Sequence, residues 1–299
     1  MKTKSGFVTI VGRPNVGKST LMNRLVGENL SIITDKPQTT RKRILGILSG
    51  ENYQIIFLDT PGMLKPKYLL QEKLVDYIER SIKDADVIIF MITVKDLEKE
   101  KKIFASDEFR EMILKSKKPK LLLINKVDLT NSDKVNSAIK FLDKDKLFDR
   151  IIPVSATEGY NVPYVLDSII EFLPEHPKYY PDDQLTTEDE RFFVSEKIRE
   201  KILEIFHDEI PYSVEVVIED FKEREKGKDY ISAVIVVERE SQKPIILGKK
   251  GAKIKKLGNL ARKSIEEFLM REIYLELRVK VKDNWRKNER ILKNFGYMN

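Results

Sequence analysis

The feature that most constrains this chain is Gly12-Arg13-Pro14-Asn15-Val16-Gly17-Lys18-Ser19, set between the apolar run Phe7–Val11 and a helix-compatible segment. Glycines at both ends of a G-x-x-x-x-G-K-S octet let backbone N–H groups curl around phosphate oxygens. A helix opening at Lys18 adds the partial positive charge of its N-terminus. The Lys18 ammonium can reach outer phosphates. The Ser19 hydroxyl, followed by Thr20, offers Mg²⁺ the hard oxygen it prefers. A strand that ends in such a loop demands an α/β fold with its ligand at the carboxyl edge of a sheet.

The rest of the first 175 residues agrees. Short apolar runs predict strands over 7–11, 44–48, 53–58, 87–92, 120–124 and 151–154. Ser49-Gly50-Glu51-Asn52 predicts a hairpin between the second and third. Helical spacing fits 18–27, 68–83, 107–116, 131–143 and 160–172. Alternation of this kind predicts a mainly parallel sheet with helices on both faces and ligand loops at the strands' carboxyl ends.

Two of those ends carry chemistry. Asp59-Thr-Pro-Gly62 follows the 53–58 strand, about 40 residues after the phosphate loop. Asp59 can hold Mg²⁺ through a water. The Gly62 N–H can meet a terminal phosphate, so this loop can sense its loss. Asn125-Lys126-Val-Asp128 follows the 120–124 strand. The Asp128 carboxylate can accept both guanine N1–H and the 2-amino group, a pattern adenine lacks. Ser155-Ala156, after the last strand, sits where a backbone N–H can read guanine O6.

Composition narrows the remaining options. The 299 residues predict about two domains at roughly 100–200 residues each. There is no cysteine, which excludes disulfides and cysteine-ligated zinc, and His176 and His207 are the only histidines. Both read as structural, His207 at the end of a helix. No apolar run approaches the roughly 18 residues of a membrane span. The N-terminus lacks a signal-peptide pattern. A soluble cytoplasmic protein is expected.

The net charge of +7 is unevenly spread. Residues 1–180 carry +6, residues 181–240 carry −9, and residues 241–299 carry +10. The basic end suggests an anionic partner or a solvated face. Pro174, Pro177 and Pro181 mark a linker, and its acidic residues read as a solvated connector. Beyond it a helix is expected over 188–206 and strands over 213–218 and 230–237. A helix follows over 252–270, with Gly258 a candidate interruption, and a strand over 274–282. That order predicts an α+β domain.

Within it, Gly248-Lys249-Lys250-Gly251 opens the 252–270 helix. Paired glycines allow close approach to a nucleic-acid backbone, and the lysines add charge. Lys253 and Lys255 extend that charge. Ile245, Ile246 and Leu247 before the loop, with Ile254, Leu257 and Leu260 after it, can form a groove for unstacked bases. Trp285 and Arg286 follow the last strand, as a further RNA contact or as packing for the tail.

Residues 6–175 resemble the Ras-like GTPase domain, on the octet, D-T-P-G, N-K-V-D and S-A in that order. The resemblance implies GTP and GDP as ligands, Mg²⁺ as cofactor, and a loop threonine completing the metal shell. In Asp35-Lys-Pro-Gln-Thr39-Thr40-Arg41, Thr40 is the better match and Thr39 its competitor. Met63 stands where Ras-like proteins carry the glutamine that orients water. The Era-like branch has an apolar residue there and the same G-x-P-N-x-G-K-S loop. That likeness implies slow hydrolysis, with Asn15 a candidate to hold a K⁺ ion. Lys18, Asn15, Thr40 and Gly62 are the implied catalytic group.

Residues around Gly248–Gly251 resemble a KH domain of the prokaryotic type. The pairing is similar to the bacterial, KH-bearing Era family. Further matches are Pro37–Arg41, His207-Asp-Glu-Ile-Pro211-Tyr-Ser-Val-Glu215 and Val279-Lys-Val-Lys-Asp-Asn-Trp285-Arg286. The expected organisation is a GTPase domain over 1–176, a linker over 177–187, a KH domain over 188–284 and a basic tail over 285–299. The resemblance implies a GTP-driven switch whose reoriented KH domain gains or loses RNA. It further implies binding near the 3′ end of the small-subunit ribosomal RNA during subunit maturation, a monomer, and some peripheral membrane association. Two alternatives remain. One is a constitutive RNA-binding protein with a structural nucleotide. The other is a membrane-linked signalling GTPase whose KH fold serves protein contacts.

Overall fold

The computed structural model describes residues 2–63, 66–96 and 116–297. The helix expected over 107–116 lies almost wholly outside them. Two units account for the fold. One comprises Met1–Ser31, Thr40–Leu64 and Leu74–Thr187. The other comprises Ile32–Thr39, Lys65–Lys73 and Glu188–Asn299.

In the first unit, six strands form one sheet: β1 (Lys4–Gly12), β2 (Ile44–Ser49), β3 (Tyr53–Asp59), β4 (Val87–Thr93), β5 (Lys120–Asn125) and β6 (Arg150–Pro153). Their order is β2-β3-β1-β4-β5-β6. Only the β2–β3 hairpin is antiparallel. β4 is buried at every residue, so both faces of the sheet are covered, as its unbroken Val-Ile-Ile-Phe-Met-Ile requires. The covering helices include α1 (Lys18–Val26), α2 (Leu69–Asp84), α3 (Ser132–Leu142) and α4 (Val162–Phe172). Gly12, Asp59, Asn125 and Ser155 all fall at or just beyond carboxyl ends of strands.

The proline-bearing stretch is not a free linker. Ser5 N–H donates to Pro174 C=O at 3.1 Å and His176 N–H to Thr3 C=O at 3.1 Å. The buried Gln54 side chain accepts from the Tyr179 and Tyr180 N–H groups at 2.8 and 2.9 Å and donates to Tyr180 C=O at 2.8 Å. Ile47, on edge strand β2, donates its N–H to Leu185 C=O at 2.7 Å. The stretch therefore satisfies donors that the sheet edge would otherwise leave open. Nor are its acidic residues merely solvated: Asp182 pairs with Lys178, and Asp189 caps the next helix by accepting from Phe192 N–H.

In the second unit, helix α5 (Glu190–Ile205) and the single turn α6 (Ile210–Ser213) precede strands β7 (Glu215–Lys222) and β8 (Asp229–Val237). Then come α7 (Lys243–Leu247), α8 (Ala252–Leu269), β9 (Ile273–Val281) and α9 (Glu289–Asn294). The sheet order is β7-β8-β9, with β8 and β9 parallel. Val194, Ile198 and Ile202 of α5 and Leu257, Ala261 and Ile265 of α8 pack with Ile231, Ala233 and Ile235 of β8 in one apolar cluster. α8 runs unbroken through Gly258, contrary to the expected interruption. A mid-helix glycine costs only about 1 kcal/mol, too little to interrupt a helix that packs on the sheet through Leu257, Ala261 and Ile265. His207 lies two residues past the end of α5, exposed just before a turn.

Candidate nucleotide and nucleic-acid sites

The phosphate loop is curled by two left-handed residues, Asn15 (φ 64°) and Gly17 (φ 103°). Asparagine tolerates that region. At Gly17 only glycine fits, because a Cβ there would stand 2.3 Å from Asn125 Nδ2. Val16 is buried, Arg13, Pro14, Ser19 and Thr20 are half-buried, and Asn15 faces solvent. The loop closes around Lys18, whose ammonium donates to Gly12 C=O at 3.1 Å and Arg13 C=O at 3.0 Å. Burial pushes the Lys18 ammonium down to about 8, against the opposing pull of Asp59. The D-T-P-G loop lies on the phosphate loop through Met63 N–H, which donates to Gly12 C=O at 3.0 Å. The Met63 side chain packs against the apolar cluster of Val11, Ile78 and Ile92.

Three oxygens converge beside Lys18. Ser19 Oγ donates to Asp59 Oδ2 at 3.1 Å, and Thr40 Oγ1 donates to the same oxygen at 3.3 Å. The two hydroxyls are 3.1 Å apart. Asp59 is fully buried, and among the described residues its other carboxylate oxygen makes no hydrogen bond. Burial pushes the Asp59 carboxyl up, and the nearby Ser31 hydroxyl and the Lys18 charge pull the other way. Two hydroxyls and a carboxylate with an orphaned oxygen suit a hard divalent cation, so these residues fit Mg²⁺. Thr39 is turned elsewhere: its hydroxyl bonds Thr34 at 2.7 Å and Lys36 C=O at 2.6 Å. The sequence left the two threonines in competition, and the geometry brings only Thr40 to the cluster.

At the base end, buried Asn125 is a brace. Its Nδ2 donates to Val16 C=O at 2.7 Å, and its Oδ1 accepts from Ala156 N–H at 2.9 Å. Left-handed Lys126 turns the chain, and Asp128 sits exposed on the turn that follows. Ser155 N–H already donates to Tyr160 C=O at 3.1 Å, and Ala156 N–H is taken by Asn125. Both amides expected at guanine O6 thus have partners within the fold.

In the second unit, Lys249 and Lys250 are exposed on the loop before α8, and Gly251 caps that helix. A groove of about 280 Å³ beside them is lined by Ile254, Lys255, Gly258, Asn259, Arg262, Leu275 and Leu277. Lys253 extends over the Phe206 ring, 5.8 Å from its centroid. Asn259 and Arg262 were not anticipated, although they share the face of Lys255 at helical spacing.

Four expected RNA contacts are not brought to this surface. Ile246 is fully buried in the core, as is Leu257, because α7 and α8 must each sink an apolar side chain to hold the loop. Trp285 is fully buried, with its Nε1 donating to Ser213 C=O at 3.0 Å. The half-buried Arg286 guanidinium pairs with Glu238. For Trp285 and Arg286, of the two readings open from sequence, packing describes the geometry.

Residues 7–126 match the family model for "50S ribosome-binding GTPase", and residues 209–286 match the KH domain model. GTPase Era of Clostridium botulinum (strain Hall) is 43% identical over 296 residues, covering 99% of each chain. GTPase Era of Clostridium kluyveri is 46% identical over 295 residues, covering 98% of this chain and 99% of that one. The chain belongs to the Era GTPase family. A crystal structure of Era in complex with MgGDPNP and nucleotides 1506–1542 of 16S ribosomal RNA superposes with a TM-score of 0.92 at 38% identity, covering 99% of each chain. An Aquifex aeolicus Era variant bound to GDP·AlF4⁻ gives 0.91 at 38% identity, again over 99% of each. The Era-like expectation from sequence is thus borne out, as is the α/β GTPase fold followed by a KH domain. Among the described residues, no helix of this Era-family chain is long and apolar enough to cross a membrane.

Proposed function

We propose that this Era-family GTPase hydrolyses GTP at the Lys18–Ser19–Thr40–Asp59 cluster and uses its KH domain to bind RNA near the 3′ end of the small-subunit ribosomal RNA. The carrying observation is the three-oxygen cluster beside a buried lysine, on a chain alike along its whole length to an Era holding MgGDPNP and a 16S rRNA fragment. The GTPase domain spans 1–176 and the KH domain 188–284. Segments 177–187 and 285–297 are packed parts of the fold rather than free connectors. The protein acts as a cytoplasmic monomer in small-subunit maturation.

Residue roles follow from position. The phosphate loop, Gly12 to Thr20, wraps the phosphates, with Lys18 placing its charge on the outer ones. Ser19, Thr40 and Asp59 hold Mg²⁺, which when bound neutralises charge developing on the phosphate oxygens. Gly62 N–H meets the terminal phosphate. Loss of that phosphate frees the Gly62 and Thr40 loops, and RNA affinity changes with them. Asn125 braces the loops around the base, with Lys126 alongside, and Asp128 reads guanine. Water attacks the γ-phosphorus and GDP leaves. With Met63 held in an apolar cluster, no side chain at that position orients the water. Hydrolysis is therefore slow, and Asn15 holds a K⁺ ion that adds positive charge in the transition state.

Gly248, Lys249, Lys250 and Gly251 meet the RNA backbone, with Lys253 and Lys255 adding charge. Ile254, Leu275 and Leu277 give the groove its apolar floor. Crosslinking the protein to cellular RNA with GTP or GDP bound, then sequencing, tests the assignment. A peak near the small-subunit rRNA 3′ end, altered by nucleotide, is expected. No rRNA peak, with recovery in a washed membrane fraction instead, would favour the signalling alternative.

A further inference from the structure

Two segments singled out by their family likeness, 207–215 and 279–286, carry none of the nucleotide contacts. The fold brings them together at the turn over 238–242 that leads into α7, the short helix that ends at Gly248–Gly251. Gln242, at the end of that turn, is buried, and its Oε1 accepts from Glu238 N–H at 2.9 Å and Arg239 N–H at 3.1 Å. Its Nε2 donates to Ser213 Oγ at 3.0 Å. Ser213, also fully buried, donates that hydroxyl to Ile210 C=O at 3.2 Å, and its C=O accepts from Trp285 Nε1 at 3.0 Å. Next to Trp285, Arg286 grips the Glu238 carboxylate at the other end of the same turn, with its Nε at 3.0 Å.

The loop beyond needs such a hold. Gly248 sits at φ 70°, ψ 175°, where only glycine is at ease, and a Cβ there would stand 2.7 Å from Lys253 Cγ. Lys250 is left-handed at φ 51°. Conformations of this kind persist only where the surroundings over-determine them. Lys249 and Lys250 are exposed, so the loop's own side chains supply little anchorage. A buried amide costs free energy that an apolar side chain of the same size would not, unless its hydrogen bonds are made, as they are for Gln242. Fully satisfied, a buried network rigidifies what it holds.

We propose that Trp285, Ser213 and Gln242 are positioning residues for the RNA-binding loop, fixing the turn from which Gly248–Gly251 is presented. This rests on the RNA reading above. Trp285 acts through Ser213 and Gln242 and does not touch RNA.

The test uses the full chain and a labelled RNA of 16S rRNA nucleotides 1506–1542. Trp285→Phe keeps a ring and removes the donor. Gln242→Met keeps the length and removes the amide. Each is expected to weaken RNA binding about five- to tenfold and to speed amide exchange at 249–252. The salt dependence of binding stays as in wild type, because the phosphate-facing cations are intact. GTP turnover without RNA also stays as in wild type. Ser213→Ala, which removes only the hydroxyl link, gives the same result in weaker form and serves if a larger change impairs folding. Unaltered RNA affinity and unaltered loop exchange, with only a lower Tm, would overturn the proposal. Gly248→Asp with Gly251→Asp separates the two readings. If that pair leaves RNA binding intact, the RNA assignment itself fails. If it abolishes binding while Trp285→Phe and Gln242→Met behave as wild type, only the positioning role fails.

Discussion

The Thr40 hydroxyl stands 3.1 Å from the Ser19 hydroxyl, and both donate to one oxygen of Asp59. Thr39, one residue away, spends its hydroxyl within its own loop on Thr34 and Lys36. Thr40→Ala should therefore slow GTP turnover roughly a hundredfold and weaken the response to Mg²⁺. Thr39→Ala should leave turnover within about threefold. Steady-state phosphate release across a Mg²⁺ titration distinguishes the two, and the reverse ranking would move the metal assignment to Thr39.

Lys18 makes nucleotide binding depend on pH. Its folded-state pKa is about 8, below the ordinary 10.5. Below pH 8 the buried charge costs stability, and that cost is relieved as pH rises from 8 towards 10.5. Bound phosphates favour the charged form, so binding has the opposite sign. GDP affinity should fall about tenfold per pH unit above 8. Titration calorimetry at pH 9 in buffers of different ionisation enthalpy should show uptake of close to one proton. No uptake would mean that Lys18 is already charged in the free protein.

Asp128 is exposed, so it is available to a base edge. If it accepts the guanine 2-amino group, inosine diphosphate, which lacks that donor, should bind ten- to a hundredfold more weakly than GDP, the value of about one charge-assisted hydrogen bond. Asp128→Ala should abolish that preference. Competition binding of the two nucleotides reads it directly, and a preference that survives the substitution would sink the role.

Gln54 ties residues 179–180 to the sheet edge through three hydrogen bonds. Gln54→Ala should lower stability by about 2 kcal/mol and make 177–185 exchange amide protons faster and yield sooner to protease. Unaltered protection there would show that the stretch is held by its other contacts alone.

Asn15 faces solvent from a left-handed position in the phosphate loop. If it holds K⁺, turnover should be faster in KCl than in NaCl by about tenfold. Asn15→Ala should remove the difference. Equal rates in both salts would dispose of the potassium role.

Much of this was legible in the chain. The octet, D-T-P-G and N-K-V-D each sit at a strand end because apolar runs of five to seven residues leave little choice about where a buried strand stops. Gly248–Gly251 stood out for the same kind of reason, since paired glycines around two lysines suit close backbone approach. What local pattern could not resolve was competition between neighbours of like chemistry. Thr39 and Thr40 have the same hydroxyl. Ile246 is as apolar as Ile245, yet Ile246 is wholly buried and Ile245 is 38% exposed. Trp285 and Arg286 looked as apt for RNA as for packing.

The sequence by itself determined the α/β nucleotide unit, the KH unit after it, and the residue types of both sites, because strand periodicity and glycine spacing are local properties of the chain. Only the tertiary structure decided which threonine meets Asp59, that the proline-rich stretch lies along the sheet edge, and that Trp285 is joined through Ser213 and Gln242 to the turn before α7. Those outcomes depend on which buried donors and acceptors are left over once distant segments have packed. Hydrogen bonds between residues 40 or 72 positions apart leave no periodic trace in the sequence.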